Sequence, residues 1–200
     1  MVMRMTEESA AGHPYHHGNL RRALLTAAVA AIEESGPTGL SLRDLARRAG
    51  VSHAAPAHHF GDKAGLLTAL AAEGFELLSD ELTRIRAETD SLLEIGVGYV
   101  RFAVDHRAHF EVMFRPELYD RADPVLAAAR QRAGESLRAG IAGLPDAPVG
   151  PDAERARLSA WSIVHGFAAL WLGGALPTDQ VGQDPEAACR AVIGRLFAAP

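Results

Sequence analysis

Three histidines, one serine and one lysine crowd into the stretch VSHAAPAHHFGDK, residues 51–63, and Lys63 is the only lysine of the chain. Imidazole and hydroxyl groups can donate or accept a hydrogen bond at a base edge or a phosphate, and a phosphate field favours imidazole protonation. His53 and His58 read as groups of this kind; the alternative is two solvated histidines without a role. Metal chemistry fits poorly, because His58 and His59 are adjacent, and adjacent residues on a helix point in different directions. His59 and Phe60 are expected to turn inward and seat the segment. No His-Glu-x-x-His motif, nucleophile elbow or phosphate loop occurs in the chain, so it does not read as an enzyme.

Such groups act only when a rigid element presents them. The chain is 48% hydrophobic and 22% charged, rich in Ala, Leu, Arg and Glu and without any alternating strand-like segment, which predicts an all-α fold. A first helix is expected from Asn19 to about Ser35, with Leu20, Leu24, Ala28 and Ile32 on one face and Gly36-Pro37 as its end. Ser41 and Asp44 have the spacing of a capping box opening a second helix. Gly50 supplies a left-handed stop, and Ser52 is the expected cap of a third helix. Two short helices around a glycine turn, with small Ala46 where they approach, predict a helix-turn-helix. In that frame Ser41 and Arg43 lie on the second helix, and His53, Ala54, Ala55, Ala57 and His58 fall outward or flank the outer side of the third. Val51 and Pro56 fall inward. Pro56 reads as an apolar plug; the alternative is a contact to a thymine methyl.

Beyond Lys63 the pattern predicts further helices: 63–85, 90–105, a short one ending at Pro116, one opened by Asp123-Pro124 and running to about Leu144, one from Asp152 to Leu172, and a last one opened by Asp184-Pro185 with Cys189, Val192 and Leu196 on a stripe. The total is about nine. The chain divides into a flexible arm (1–16), a helix-turn-helix DNA-binding domain (17–62) and a ligand-binding and dimerisation domain (63–200). The longest apolar run, about 15 residues, is short of the roughly 20 that span a bilayer, and the arm does not read as a secretory signal. One cysteine excludes a disulfide framework, so a reducing cytoplasm is expected, with no metal, cofactor or membrane partner. The net charge of −5 is uneven: residues 1–62 balance six Arg against six acids, and the remainder carries the acidic excess. A neutral, His-rich head on an acidic body is compatible with one face approaching phosphate.

Gly39-Leu40-Ser41, Leu45-Ala46, Ala49-Gly50-Val51-Ser52, His59-Phe60, Asp62-Lys63 and Leu66-Leu67 fall in a continuous stretch of about 55 residues. This stretch resembles the DNA-binding domain of the tetracycline-repressor (TetR) family. The resemblance implies a homodimeric transcription regulator, usually a repressor, released from a palindromic operator when a small molecule enters the C-terminal domain. It further implies phosphate contacts from Ser41 and Lys63, and base-facing positions for Ser52, His53 and Ala55. The family commonly has tyrosine where this chain has Ala57, a loss worth about 1 kcal/mol if one hydrogen bond goes with it. Trp161, His165 and Gly166 resemble a subgroup whose C-terminal domain carries a Trp followed by His-Gly.

The helix from Asp152 to Leu172 is apolar on nearly every side and so needs burial all round. Pairing it and the last helix with the same two helices of a second subunit meets that need, and spaces two reading heads by about 34 Å. Tyr99, Phe102, Met113, Phe114, Trp161 and His165 are candidate lining for a small-molecule site taking a largely apolar effector with one polar handle. The alternative is that most of them, His165 included, are simply core. A small-molecule-binding helical protein with weakened or lost DNA binding stays open beside the regulator.

Overall fold

The computed structural model describes residues 15–89, 91–144 and 146–197. Most of the expected 1–16 arm lies outside these residues, although Tyr15 and His16 begin the first helix. All regular structure among the described residues is helical: α1 (Tyr15–Gly39), α2 (Leu42–Arg48), α3 (Ala55–Phe60), α4 (Lys63–Thr89), α5 (Leu92–Asp105), α6 (Arg107–Met113), α7 (Pro124–Ala142), α8 (Pro151–Leu172), α9 (Thr178–Val181) and α10 (Pro185–Phe197). The expected break at Gly36-Pro37 is a kink inside α1, where Gly36 leaves helical geometry at φ 71° and Pro37 starts a last short turn. The single-turn helix α9 is additional to the nine expected.

Each helix forms for local reasons and is held by a buried face. Leu24, Ala28 and Ile32 of α1 are buried with Leu45 and Ala46 of α2. The turn after α2 depends on Gly50, at φ 66°, a conformation that costs a side-chain-bearing residue roughly 1 kcal/mol or more. α4 is the spine. It packs against α3 at one end and against α5, α6 and α7 along its length. Its buried leucines, Leu66, Leu70, Leu78 and Leu82 among them, each contribute about 1.5–3 kcal/mol. α5 packs on α8 and α10, and α6 reaches back to α1. The buried side chains form one continuous cluster from Leu24 to Ile193.

Several local expectations are corrected. Ser41 is the N-cap of α2, but its side chain makes no capping hydrogen bond. Asp44 is taken by Arg47 (2.6 Å) and Arg48 (2.6 Å) instead of facing back to the cap. Ser52 is not the cap of α3; Ala54 is. Pro56 has no N–H to reach the Ser52 carbonyl, which accepts from Ala55 N (3.0 Å) in a tighter turn, and the first regular bond runs from His58 N to Ala54 O (2.9 Å). Asp123 caps α7 as expected, accepting from Leu126 N at 2.8 Å. On α10 the buried residues are Ala188, Cys189 and Ile193, while Val192 is 45% exposed; the stripe follows the four-residue step rather than the three. The Leu196 side chain lies outside the described residues.

Candidate nucleic-acid interface and ligand cavity

The outer side of α2 and α3 carries Ser41, Arg43, Ser52, His53, Ala54, Ala57 and His58, all exposed, with Ala55 half-buried beside them. Pro56 is the buried residue of α3, which is the plug position. His59 and Phe60 are half-buried, with Arg21 of α1 stacked over the Phe60 ring at 5.2 Å. Gly61 N closes the helix on Ala57 O at 2.8 Å. Lys63 starts α4, and its ammonium donates to the Thr38 carbonyl at 2.7 Å.

The charge on this face is partly neutralised. Arg48 makes paired hydrogen bonds to Glu34 of α1 at 2.8 and 2.7 Å, and a third to Asp44. Those bonds hold the carboxyls of Glu34 and Asp44 below the usual carboxylate range. Sequence reasoning counted Arg47 and Arg48 as basic charge in the head. Their acidic partners lie one turn away and on another helix, so only part of that charge faces outward.

A cavity of about 460 Å³ opens in the helical body, lined by residues of α4 to α8 and α10 and of the segment after α6. Tyr99, Met113, Phe114 and Trp161 line it. Phe102 does not; it packs against His106 with ring centres 5.0 Å apart. His165 stands one layer behind the wall, stacked on Phe110 (5.3 Å) and edge-on to Phe114 (4.5 Å). Its Nδ1 lies 2.9 Å from the Tyr99 hydroxyl, and Trp161 Nε1 donates to that same hydroxyl at 3.4 Å. Indole N–H only donates, so the Tyr99 oxygen accepts from Trp161, and when Nδ1 of His165 carries no proton the Tyr99 hydroxyl donates to it. That order requires a neutral imidazole. Burial pushes the Tyr99 hydroxyl up and His165 down from their ordinary values, in keeping with it.

His165 links the stability of the fold to pH. Its pKa is lowered in the folded chain, so the unfolded chain binds more protons, and the stability is present above the ordinary imidazole range and lost as pH falls below it. The midpoint of thermal unfolding should therefore drop between pH 7.5 and 5.5, and His165→Gln should flatten that drop. Circular-dichroism melts with the same slope in both chains would contradict this.

Sequence reasoning missed Phe75, Tyr119 and three arginines, Arg121, Arg130 and Arg157, all on the cavity wall. A signal existed for two of them. Arg130 sits in the stripe Leu126, Arg130, Ala133, Leu137, and Arg157 in the stripe Arg157, Trp161, Val164, Ala168. Both occupy places where the helical period calls for an apolar residue.

Among the described residues no group of three His, Cys, Asp or Glu side chains is disposed to hold a metal, and no helix is long and apolar enough to cross a membrane.

Comparison with known proteins agrees with this architecture. Residues 24–70 match the family model for bacterial regulatory proteins of the tetR family. Residues 92–196, more than half of the chain, match the tetracyclin repressor-like C-terminal domain. The HTH-type transcriptional regulator BetI of Stenotrophomonas maltophilia is 35% identical over 68 residues, and the match spans about a third of that regulator, 35% of its length. A protein of unknown function from Rhodococcus sp. RHA1 is 36% identical, with 93% of this chain and 97% of that one covered at a TM-score of 0.73. The TetR-like regulator LfrR of Mycobacterium smegmatis, solved with proflavine, shares the fold at 20% identity and a TM-score of 0.64, with 92% and 99% of the two chains covered. With a helix-turn-helix at one end, a cavity in the helical body, and family models matching both parts, the chain belongs to the tetracycline-repressor (TetR) family of transcriptional regulators.

Proposed function

We propose that the chain works as a homodimeric repressor, holding a palindromic operator until a small, largely apolar effector enters the cavity. The observation that carries this reading is the linkage between cavity and head. Met113 and Phe114, at the end of α6, line the cavity, while α6 also packs against α1 and α4. Its His109 lies 3.3 Å from Glu73 of α4. An effector that displaces Met113 or Phe114 therefore moves the element on which α1 and α4 rest. α4 carries that movement to α3 and changes the separation of the two heads. The effector acts only through the difference in its affinity for the two arrangements.

In this reading residues 17–62 form the DNA-binding domain and 63–200 the effector and dimer domain. Ser41, Arg43 and Lys63 meet phosphates, and Lys63 exchanges the Thr38 carbonyl for one. Ser52, His53, Ala54, Ala55, Ala57 and His58 meet bases or the flanking backbone. The lining subset Tyr99, Met113, Phe114 and Trp161 contacts the effector, and His165 holds Tyr99 in position. Phe102 has no part in it. Trp161, His165 and Gly166 fit the Trp-His-Gly subgroup, and a cytoplasmic location follows from work on the chromosome.

The dimer is supported by the outer stripe of α8. Ser159, Ser162, Gly166 and Leu170 recur at three- and four-residue steps, and Leu170 is 49% exposed. Small residues with one large apolar side chain allow two helices to approach closely. Val192 of α10, at 45% exposure, extends the same need for cover. A twofold four-helix contact through α8 and α10 answers both.

A gel shift with DNA flanking the chain's own gene tests the regulator. Specific binding should weaken on the order of a thousandfold between low and physiological salt and be relieved by a cavity ligand. The second reading, a sensor that has lost DNA binding, is favoured by Ala57 and by the carboxylates that occupy Arg47 and Arg48. No shift on any flanking fragment would decide for it.

A further inference from the structure

We infer that the molecule the cavity takes is an amphipathic anion, an apolar body ending in one carboxylate; this rests on the effector reading above and assigns its chemical class. The wall is mostly leucine, isoleucine and aromatic side chains, yet three arginines line it and no aspartate or glutamate does.

The arginines differ in how their charge is met. Arg157, with a side chain only 19% exposed, gives its Nε to Glu154 at 2.9 Å, and Glu154 is not part of the wall. Arg121 and Arg130 have no carboxylate partner among the described residues, whereas Arg84, Arg132 and Arg190 on the outer surface each sit on one. Arg130 is nevertheless fixed. Its guanidinium lies over the Phe75 ring at 5.6 Å and donates to the Tyr119 hydroxyl at 3.2 Å, and that hydroxyl donates to the Met113 carbonyl at 2.8 Å. The fork is held by neutral groups, so its full charge remains.

Two of these cations occupy apolar stripe positions on α7 and α8. Arg121 and Arg130 reach water, and together they make a cationic rim without a counter-charge on an otherwise apolar cavity. A ligand carboxylate supplies one, in the planar geometry that a guanidinium pairs with best. A cationic ligand of the same shape adds repulsion, and a neutral one leaves the guanidinium groups unpaired. Tyr119 and Met113 tie Arg130 to the end of α6, so an anion drawn to Arg130 pulls on the segment that also rests against α1 and α4.

The test uses three ligands with one body: 4-phenylbutyrate, 4-phenylbutanol and 4-phenylbutylamine, titrated at fixed ionic strength into the full-length chain. Binding is read by calorimetry and by the fluorescence of Trp161 in a Trp171→Phe background. The carboxylate should bind about tenfold tighter than the alcohol, and the amine weakest, as expected for one charge-assisted pair. Arg130→Gln and Arg121→Gln, whose side chains are exposed enough to be replaced without unfolding, should each reduce that preference. Equal binding of all three, or tightest binding of the amine, would overturn the anion while leaving the effector cavity standing. No binding of any of the three, with Trp161 emission and melting unchanged, would overturn both.

Discussion

Gly65→Ala should destabilise the chain by about 3 kcal/mol, at the upper end of what overpacking costs, and lower its melting midpoint by roughly 6–12 °C. It should also weaken operator binding by more than about tenfold, because α3 must shift to make room. A β-carbon on Gly65 would lie 1.9 Å from the Phe60 carbonyl oxygen and 3.1 Å from its carbon. The obstacle is backbone, which cannot rotate aside as a side chain can. Gly65 N–H also donates to Asp62 Oδ1 at 2.8 Å, and Asp62 N–H donates to the same Phe60 oxygen at 3.0 Å. The end of α3 and the first turn of α4 are thus in direct contact through one missing methyl group. A variant that melts and shifts DNA like the parent would refute this account of the junction.

Leu170→Glu should convert the proposed dimer to single chains and lower operator affinity on the order of a hundredfold. Leu170 is half-exposed on the outer stripe of α8, while Val164, Phe167 and Ala168 of the same helix are buried. A glutamate there costs an isolated subunit little, since the side chain reaches water. In a twofold contact the change appears twice, and an unpaired carboxylate enclosed by apolar neighbours costs several kcal/mol. Sedimentation at micromolar concentration distinguishes the cases. A dimer of unchanged affinity would place the contact elsewhere, and a chain that fails to fold would show by its far-ultraviolet dichroism that Leu170 has an internal role instead.

The helix boundaries that were legible in the sequence are those set by chemistry within a few residues. Gly36-Pro37, Gly50, Asp123-Pro124 and Asp184-Pro185 punctuate the chain where they were read to do so, because a positive φ, a missing N–H or a short carboxylate acts on its own neighbourhood. The capping box at Ser41 failed for a different reason. Asp44 had nearer cations in Arg47 and Arg48, and Arg48 was drawn in turn by Glu34 from another helix, a partner that no local rule supplies. Ser52 lost its capping role to the geometry that Pro56 imposes two residues into α3. In the body, four of six aromatic, methionine and histidine candidates face the cavity, since bulky apolar residues gather wherever helices diverge. Phe102 faces the other way because a helix presents a new direction every residue, and which side is cavity depends on the neighbours. The arginines of the wall were not singled out in the sequence, although Arg130 and Arg157 interrupt apolar stripes. Gly65 gave no signal, because its importance lies in the distance to a carbonyl five residues back.

One apolar cluster extends from α1 across the α3–α4 junction to α10, with Leu66, Leu67 and Leu70 enclosed from both directions. Severing the chain in the Gly61-Asp62 turn would lay those leucines open to water on the C-terminal fragment and strip Leu24 and Leu45 of their cover on the other. Neither piece is then a faithful substitute for the whole, and heat or protease should dismantle reader and receptor in a single cooperative event.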